Sequence, residues 1–121
     1  KNIDIFINVR TDPFLINIPN ALEESVKRIH LYEQVDIGGI FVPCIEKEAD
    51  ISQVVGATKL PVNVLCMPQL PDFETLKRLG VKRISMGSSA HRAMYQQFKK
   101  TVSRIVSGKS FSPIFNHADN Q

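Results

Sequence analysis

No apolar run in the sequence approaches the roughly 20 residues that a membrane span requires, and its first apolar stretch, Ile3 to Val9, is interrupted by Asp4 and Asn8. That stretch does not read as a secretory leader, and no membrane partner is expected. Cysteine is scarce. Cys44 and Cys66 stand alone, without a CxxC or a paired-histidine spacing. This argues against a zinc site and a disulfide framework, and points to two thiols in a reducing cytoplasm. A concentrated basic stripe is also missing: Lys and Arg spread through the predicted helices, with Lys99-Lys100 the only adjacent lysines. Nucleic acid is therefore not an expected partner. No acidic cluster falls on a strand end. Asp36 and Asp50 lie beside helix ends, and Glu46 and Glu48 flank the second predicted helix. Magnesium needs convergent carboxylates, so no metal site is expected within this chain. His30, His91 and His117 have no neighbours that would make a triad, and read as surface or packing residues.

What is present is an ordinary globular composition. Of 121 residues, 43% are apolar and 22% charged, with a net charge of +3, which fits one folded domain rather than a disordered chain. Four apolar runs have strand length: Ile3–Val9, Gly39–Val42, Pro61–Cys66 and Val81–Met86. None alternates with polar residues, as expected of strands covered on both faces of a parallel sheet. A helical pattern follows each run. The first starts at Asn20 with Glu23 three residues on, a capping-box pair, and carries Leu22, Val26 and Ile29 at helical spacing, with Val35 near its end. The second spans about Lys47 to Ala57. The third opens on the N-cap Asp72 and stops at Gly80. The fourth runs from about Ser89 to Ser107, with a stripe of Ala90, Met94, Phe98, Val102 and Ile105 before Gly108. Residues 109–121 show no periodicity and are expected to form an extended tail. The order β-α-β-α-β-α-β-α gives an α/β fold, either a small doubly wound sheet or half of a barrel.

Polar residues gather where these strands end. Arg10 in Asn8-Val9-Arg10-Thr11-Asp12 offers a fork suited to a carboxylate or phosphonate, and Asp12 is placed to hold it; the two residues equally suit a purely structural pair. Asn63 interrupts an apolar strand and must find partners, either substrate oxygens or a neighbouring strand. Gly87-Ser88-Ser89 opens the last helix and offers backbone N–H groups to an anion, or an ordinary cap through Ser89.

These segments resemble a known family. Ile5-Phe6-Ile7-Asn8-Val9-Arg10-Thr11-Asp12 is similar to the fifth barrel strand of the isocitrate lyase/phosphoenolpyruvate mutase superfamily. Gly39-Ile40-Phe41-Val42-Pro43 resembles the sixth and Pro61-Val62-Asn63-Val64-Leu65 the seventh. Leu79-Gly80-Val81-Lys82-Arg83-Ile84-Ser85-Met86-Gly87, with Ser89-Ala90-His91-Arg92-Ala93-Met94, resembles the eighth strand and its helix. The resemblance favours the carboxyphosphonoenolpyruvate phosphonomutase-like branch. The resemblance implies the C-terminal half of a (β/α)8 TIM barrel, four parallel βα units over residues 1–108, from a full barrel of about 250 residues. It implies lyase or mutase chemistry at a C–C or P–C bond of a 2-oxo acid or phosphonate, with Mg in the complete enzyme. By position, Arg10, Asn63, Ser85 and Gly87 would bind substrate, with Asp12 behind Arg10. Pro43-Cys44 stands where family members carry Glu or His, so the catalytic base is unassigned. The expected partner is a missing N-terminal half-barrel or a second copy, in a homo-oligomer. Alone, the chain is expected to be inactive; the alternative is a non-catalytic βα module that binds a partner or self-associates.

Overall fold

A computed structural model describes residues 3–116; His117 lies outside them. The chain divides into two compact units, Lys1–Met86 and Gly87–Gln121. The first holds β1 (Asn8–Arg10), α1 (Ala21–Tyr32), β2 (Gly39–Val42), α2 (Glu48–Gly56), β3 (Val62–Leu65), α3 (Phe73–Leu79) and β4 (Arg83–Ser85). The second holds α4 (Ser89–Gly108) and α5 (Ser112–Phe115). No helix among the described residues is long and apolar enough to cross a membrane.

In the first unit the four strands form one parallel sheet in the order β1-β2-β3-β4. Ile40 and Val42 of β2, and Val62 and Val64 of β3, alternate onto one face and join Ile29 of α1, Ile51 and Val54 of α2, and Leu76 of α3 in a single core. Each of these side chains is buried, and each contributes about 1.5–3 kcal/mol of hydrophobic stabilisation. Strands in chain order, with successive helices on one face, describe an arc of a barrel. A doubly wound sheet would reverse its strand order and place helices on both faces. The composition left these two architectures open; the strand order decides between them.

Helix ends follow from local chemistry. Asp72 Oδ1 accepts the Thr75 N–H at 2.8 Å, Gly80 closes α3 at φ 92°, and the Val81 N–H returns to the Leu76 carbonyl at 3.0 Å. The capping box expected at Asn20 does not form. Asn20 is left-handed (φ 58°), and its side chain makes no capping bond; only its carbonyl serves, accepting from Glu24 N at 3.0 Å. Nor does Ser89 cap α4: it is the first helical residue, and Ser88 before it makes no side-chain cap. The left-handed residue closing α4 is Lys109 (φ 47°), one position beyond Gly108.

Two further expectations are corrected. The first strand covers Asn8–Arg10, not Ile3–Val9, and Ile3 is 78% exposed. The register begins at Asn8↔Gly39, while Gly38 and Gly39 both donate to the Ile7 carbonyl, so Ile3–Phe6 have no facing strand. Within the expected tail, Ser112–Phe115 form a helical turn. Ser110 Oγ accepts the Ser112 N–H at 3.2 Å, and Pro113 sits in the first turn, where its missing N–H costs nothing.

Candidate functional site

Because side chains alternate along a strand, Arg10, Phe41, Asn63 and Arg83, which are in register across the sheet, share the face opposite the helices. In a barrel that face lines the interior, and the carboxyl ends of the strands form the rim that carries chemistry.

At the end of β1 the Arg10 guanidinium and the Asp12 carboxylate make a two-point contact. Arg10 Nη2 donates to Asp12 Oδ2 at 3.0 Å, and Nε lies 2.8 Å from Oδ1. The second approach is an ion-pair contact whose N–H is not aligned on the oxygen, so Oδ1 gains no hydrogen bond from it. The guanidinium is more than half exposed. Its Nη1 edge makes no hydrogen bond among the described residues, which leaves the face of the fork that an anion would use. Between the two, Thr11 is buried. Its N–H donates to the Phe41 carbonyl at 2.9 Å, and its Oγ1 has no partner among the described residues.

At the end of β2, Cys44 is held at φ 63°, a left-handed backbone rarely adopted by a residue with a Cβ. Burial pushes its thiol pKa up, and the carboxylates of Glu46 and Asp12 push it further in the same direction. The Cys44 sulfur is therefore a protonated thiol near neutrality, not a thiolate nucleophile. Glu46 Oε2 accepts the Gln69 N–H at 2.7 Å, tying the loop after β2 to the loop after β3.

Across β3 and β4, Asn63 and Ser85 satisfy each other. Asn63 Nδ2 donates to Ser85 Oγ at 2.9 Å, and Ser85 Oγ donates to Asn63 Oδ1 at 3.1 Å. Asn63 is only 2% exposed, so this pairing answers the demand of a buried amide. Cys66 follows on β3, with its sulfur 3.6 Å from the Met86 carbonyl. Gly87 belongs to the second unit and has φ 54°, a conformation that favours glycine.

The first unit thus brings Arg10 with Asp12, and Asn63 with Ser85. The sequence placed Thr11 and Cys44 among the strand-end residues without foreseeing the burial of one or the strained backbone of the other; the alternation of Arg10 and Thr11 assigns them to opposite faces, which is the signal that Thr11 is buried. The carboxylates at the strand ends do not make a magnesium site, since Asp12 is paired with Arg10 and Glu46 with a backbone N–H. No group of three His, Cys, Asp or Glu converges on a metal position among the described residues.

A parallel βα arc with an arginine fork at its carboxyl rim is the C-terminal half of a (β/α)8 barrel. Residues 1–106 match the family of phosphoenolpyruvate phosphomutase, and the chain belongs to that family. Two solved structures from Burkholderia cenocepacia J2315 are similar. One, a candidate lyase/mutase, has a TM-score of 0.78 at 25% identity, covering 92% of this chain and 40% of its own. The other, a candidate phosphonomutase, has a TM-score of 0.66 at 32% identity, covering 85% of this chain and 43% of its own. Uncharacterized proteins of two Mycobacterium tuberculosis strains are 28% identical over 93 residues. The chain spans 36% of the length of those curated relatives.

Proposed function

We propose that this chain supplies the anion-gripping half of a phosphoenolpyruvate phosphomutase-like active site, acting on a 2-oxo acid or phosphonate at a C–C or P–C bond. The observation that carries this reading is the Arg10 fork at the carboxyl end of β1, oriented by Asp12 and open on its Nη1 edge. Arg10 binds the carboxylate or phosphonate, and Asp12 fixes the guanidinium plane. Asn63 and Ser85 complete the rim within the first unit, and the resemblance alone assigns Gly87 a substrate contact. Cys44, kept protonated, donates a weak hydrogen bond and does not serve as the base.

In the complete enzyme Mg would supply Lewis-acid charge neutralisation. Among the described residues no group of side chains fits a set of Mg ligands; we assign those ligands to an N-terminal half-barrel, without which the chain is inactive. The complete protein works in the cytoplasm as a homo-oligomer.

The test is titration of the chain with phosphoenolpyruvate, followed by heteronuclear NMR. Arg10→Ala should weaken binding by about 2 kcal/mol, roughly thirty-fold in Kd, because it removes hydrogen bonds to a charged group. Equal affinity in parent and variant would remove Arg10 from the site. A second reading, a non-catalytic module that closes a barrel with another copy, is favoured by the edges of the sheet, where β1 and β4 each pair on one side only. Sedimentation of a dimer that binds no anion would select it.

A further inference from the structure

Two hydroxyls in the first unit are buried without hydrogen-bond partners among the described residues: Thr11 Oγ1 and Ser25 Oγ. Their residues are 1% and 0% exposed, so bulk water reaches neither. Other helical hydroxyls of this chain bond a carbonyl in the turn before, as Thr101 does to Gln97 at 3.1 Å and Ser107 to Arg104 at 3.4 Å. Ser25, inside α1, makes no such bond. Topology brings the two hydroxyls to one interface. Thr11 extends the β1 ladder by one step, through its N–H to the Phe41 carbonyl, and strand alternation turns its side chain to the helix side. Ser25 lies one turn ahead of the core residue Ile29 on the same line of α1, so it faces the sheet. Because β1 and β2 are parallel, α1 runs back along them. Its first turns therefore lie beside the carboxyl ends of the strands, where Thr11 stands. Pro13, two residues beyond Thr11, is also fully buried, so solvent does not enter at this end.

We propose that Thr11 and Ser25 share one internal water molecule, which ties α1 to the end of β1. A hydroxyl held away from solvent without a partner costs stability. Two of them on facing elements, not bonded to each other, are met together by a single bridging water that bonds each. The pair also selects the ligand. Both groups are neutral and each can donate or accept, which suits water. A cation would need a carboxylate, and that of Asp12, beside Thr11, is turned to Arg10. The site has a positional consequence. Thr11 lies between Arg10 and Asp12, so the water fastens the stretch of backbone that presents the guanidinium fork. The inference does not rest on what that fork binds.

The experiment follows magnetisation transfer from water to protein by NMR in the 121-residue chain, with urea unfolding of the same variants. A held water gives the protons of Thr11 and Ser25 cross-peaks with the sign of contacts inside the protein. Ser25→Ala should abolish the peaks at Thr11, whose own hydroxyl is still present. Peaks that persist there arise from proton exchange at that hydroxyl and would overturn the bridge, as would their absence from the parent. Thr11→Val keeps the shape of the side chain and removes one hydroxyl. It should shift the unfolding equilibrium about tenfold toward the unfolded chain, because it strands both the water and Ser25. Thr11→Ser, which retains the hydroxyl, should keep the water peaks at Ser25. The double variant Thr11→Val with Ser25→Ala should lose little more than either single one, since both ends of the bridge go together. A Thr11→Val chain as stable as the parent, or losses that simply add, would show two separate unpaired hydroxyls and no shared water.

Discussion

Replacing Ser85 with alanine isolates the cross-strand pair that holds β3 to β4. In the parent, both polar ends of the Asn63 amide are met by one hydroxyl, at 2.9 and 3.1 Å, and the residue is almost completely inaccessible. Alanine removes both partners at once, and water has little access to replace them. A buried polar group left unsatisfied costs about 1–3 kcal/mol, whereas removing both members of a pair is nearly neutral. Ser85→Ala should therefore destabilise the fold by about 2 kcal/mol. Asn63→Leu, of similar size and without polar atoms, should cost less, because the half-buried Ser85 hydroxyl can turn to solvent. The double variant should resemble Asn63→Leu alone, giving a coupling energy of about 2 kcal/mol. Urea unfolding at constant m-value measures all four corners of the cycle. If Ser85→Ala costs under about 0.5 kcal/mol, or the two changes simply add, the amide is not held as described.

Other perturbations test separate features. Gly39→Ala should cost about 1–3 kcal/mol by overpacking: an added Cβ would lie 2.9 Å from the Phe6 ring and 3.0 Å from the Pro61 carbonyl. That carbonyl is held by the Ile40 N–H; Phe6→Ala in the same chain should recover only the ring's share of the loss, measured by thermal unfolding. Asp72 has its pKa lowered, first by the Thr75 backbone N–H, so its ionised form is stabilised in the native state. The stability it contributes is present above the unfolded carboxylate value near pH 4 and fades as pH falls through the lower folded value. Asp72→Ala should flatten that acid limb of the stability curve, and an unchanged limb would exclude the cap as its source. Cys44 should react with iodoacetamide near pH 8 more slowly than an unperturbed thiol, because burial and two carboxylates oppose its ionisation; mass spectrometry of the labelled peptides reads the rate.

Features set by local chemistry were legible before the fold was known. The range of β2 and both ends of α3 follow from an apolar run, an aspartate and a glycine. The Arg10–Asp12 pair lies two residues apart and needs no tertiary information. The misjudged features depend on neighbours distant in sequence. Ile3–Phe6 have strand-like composition, but the ladder begins only at Asn8↔Gly39, and Asp36–Gly38, which lie beside them, form no strand. Asn20 has a capping side chain on a left-handed backbone that directs it elsewhere. The Asn63–Ser85 pair joins positions 22 residues apart, and only the β3–β4 register brings them together. Thr11 looks like a third polar rim residue until its strand position places it on the packed side.

The unbroken strand order has a kinetic meaning. Each strand's hydrogen-bonded neighbour is the one next along the chain, and the core is shared between successive βα steps. Assembly therefore resembles growth of a linear repeat array, where stability accrues by nearest-neighbour steps and no long loop must close first. For such a chain, fraying should start at the outermost units and advance inward, leaving β2, α2 and β3 as the last amides to exchange with solvent.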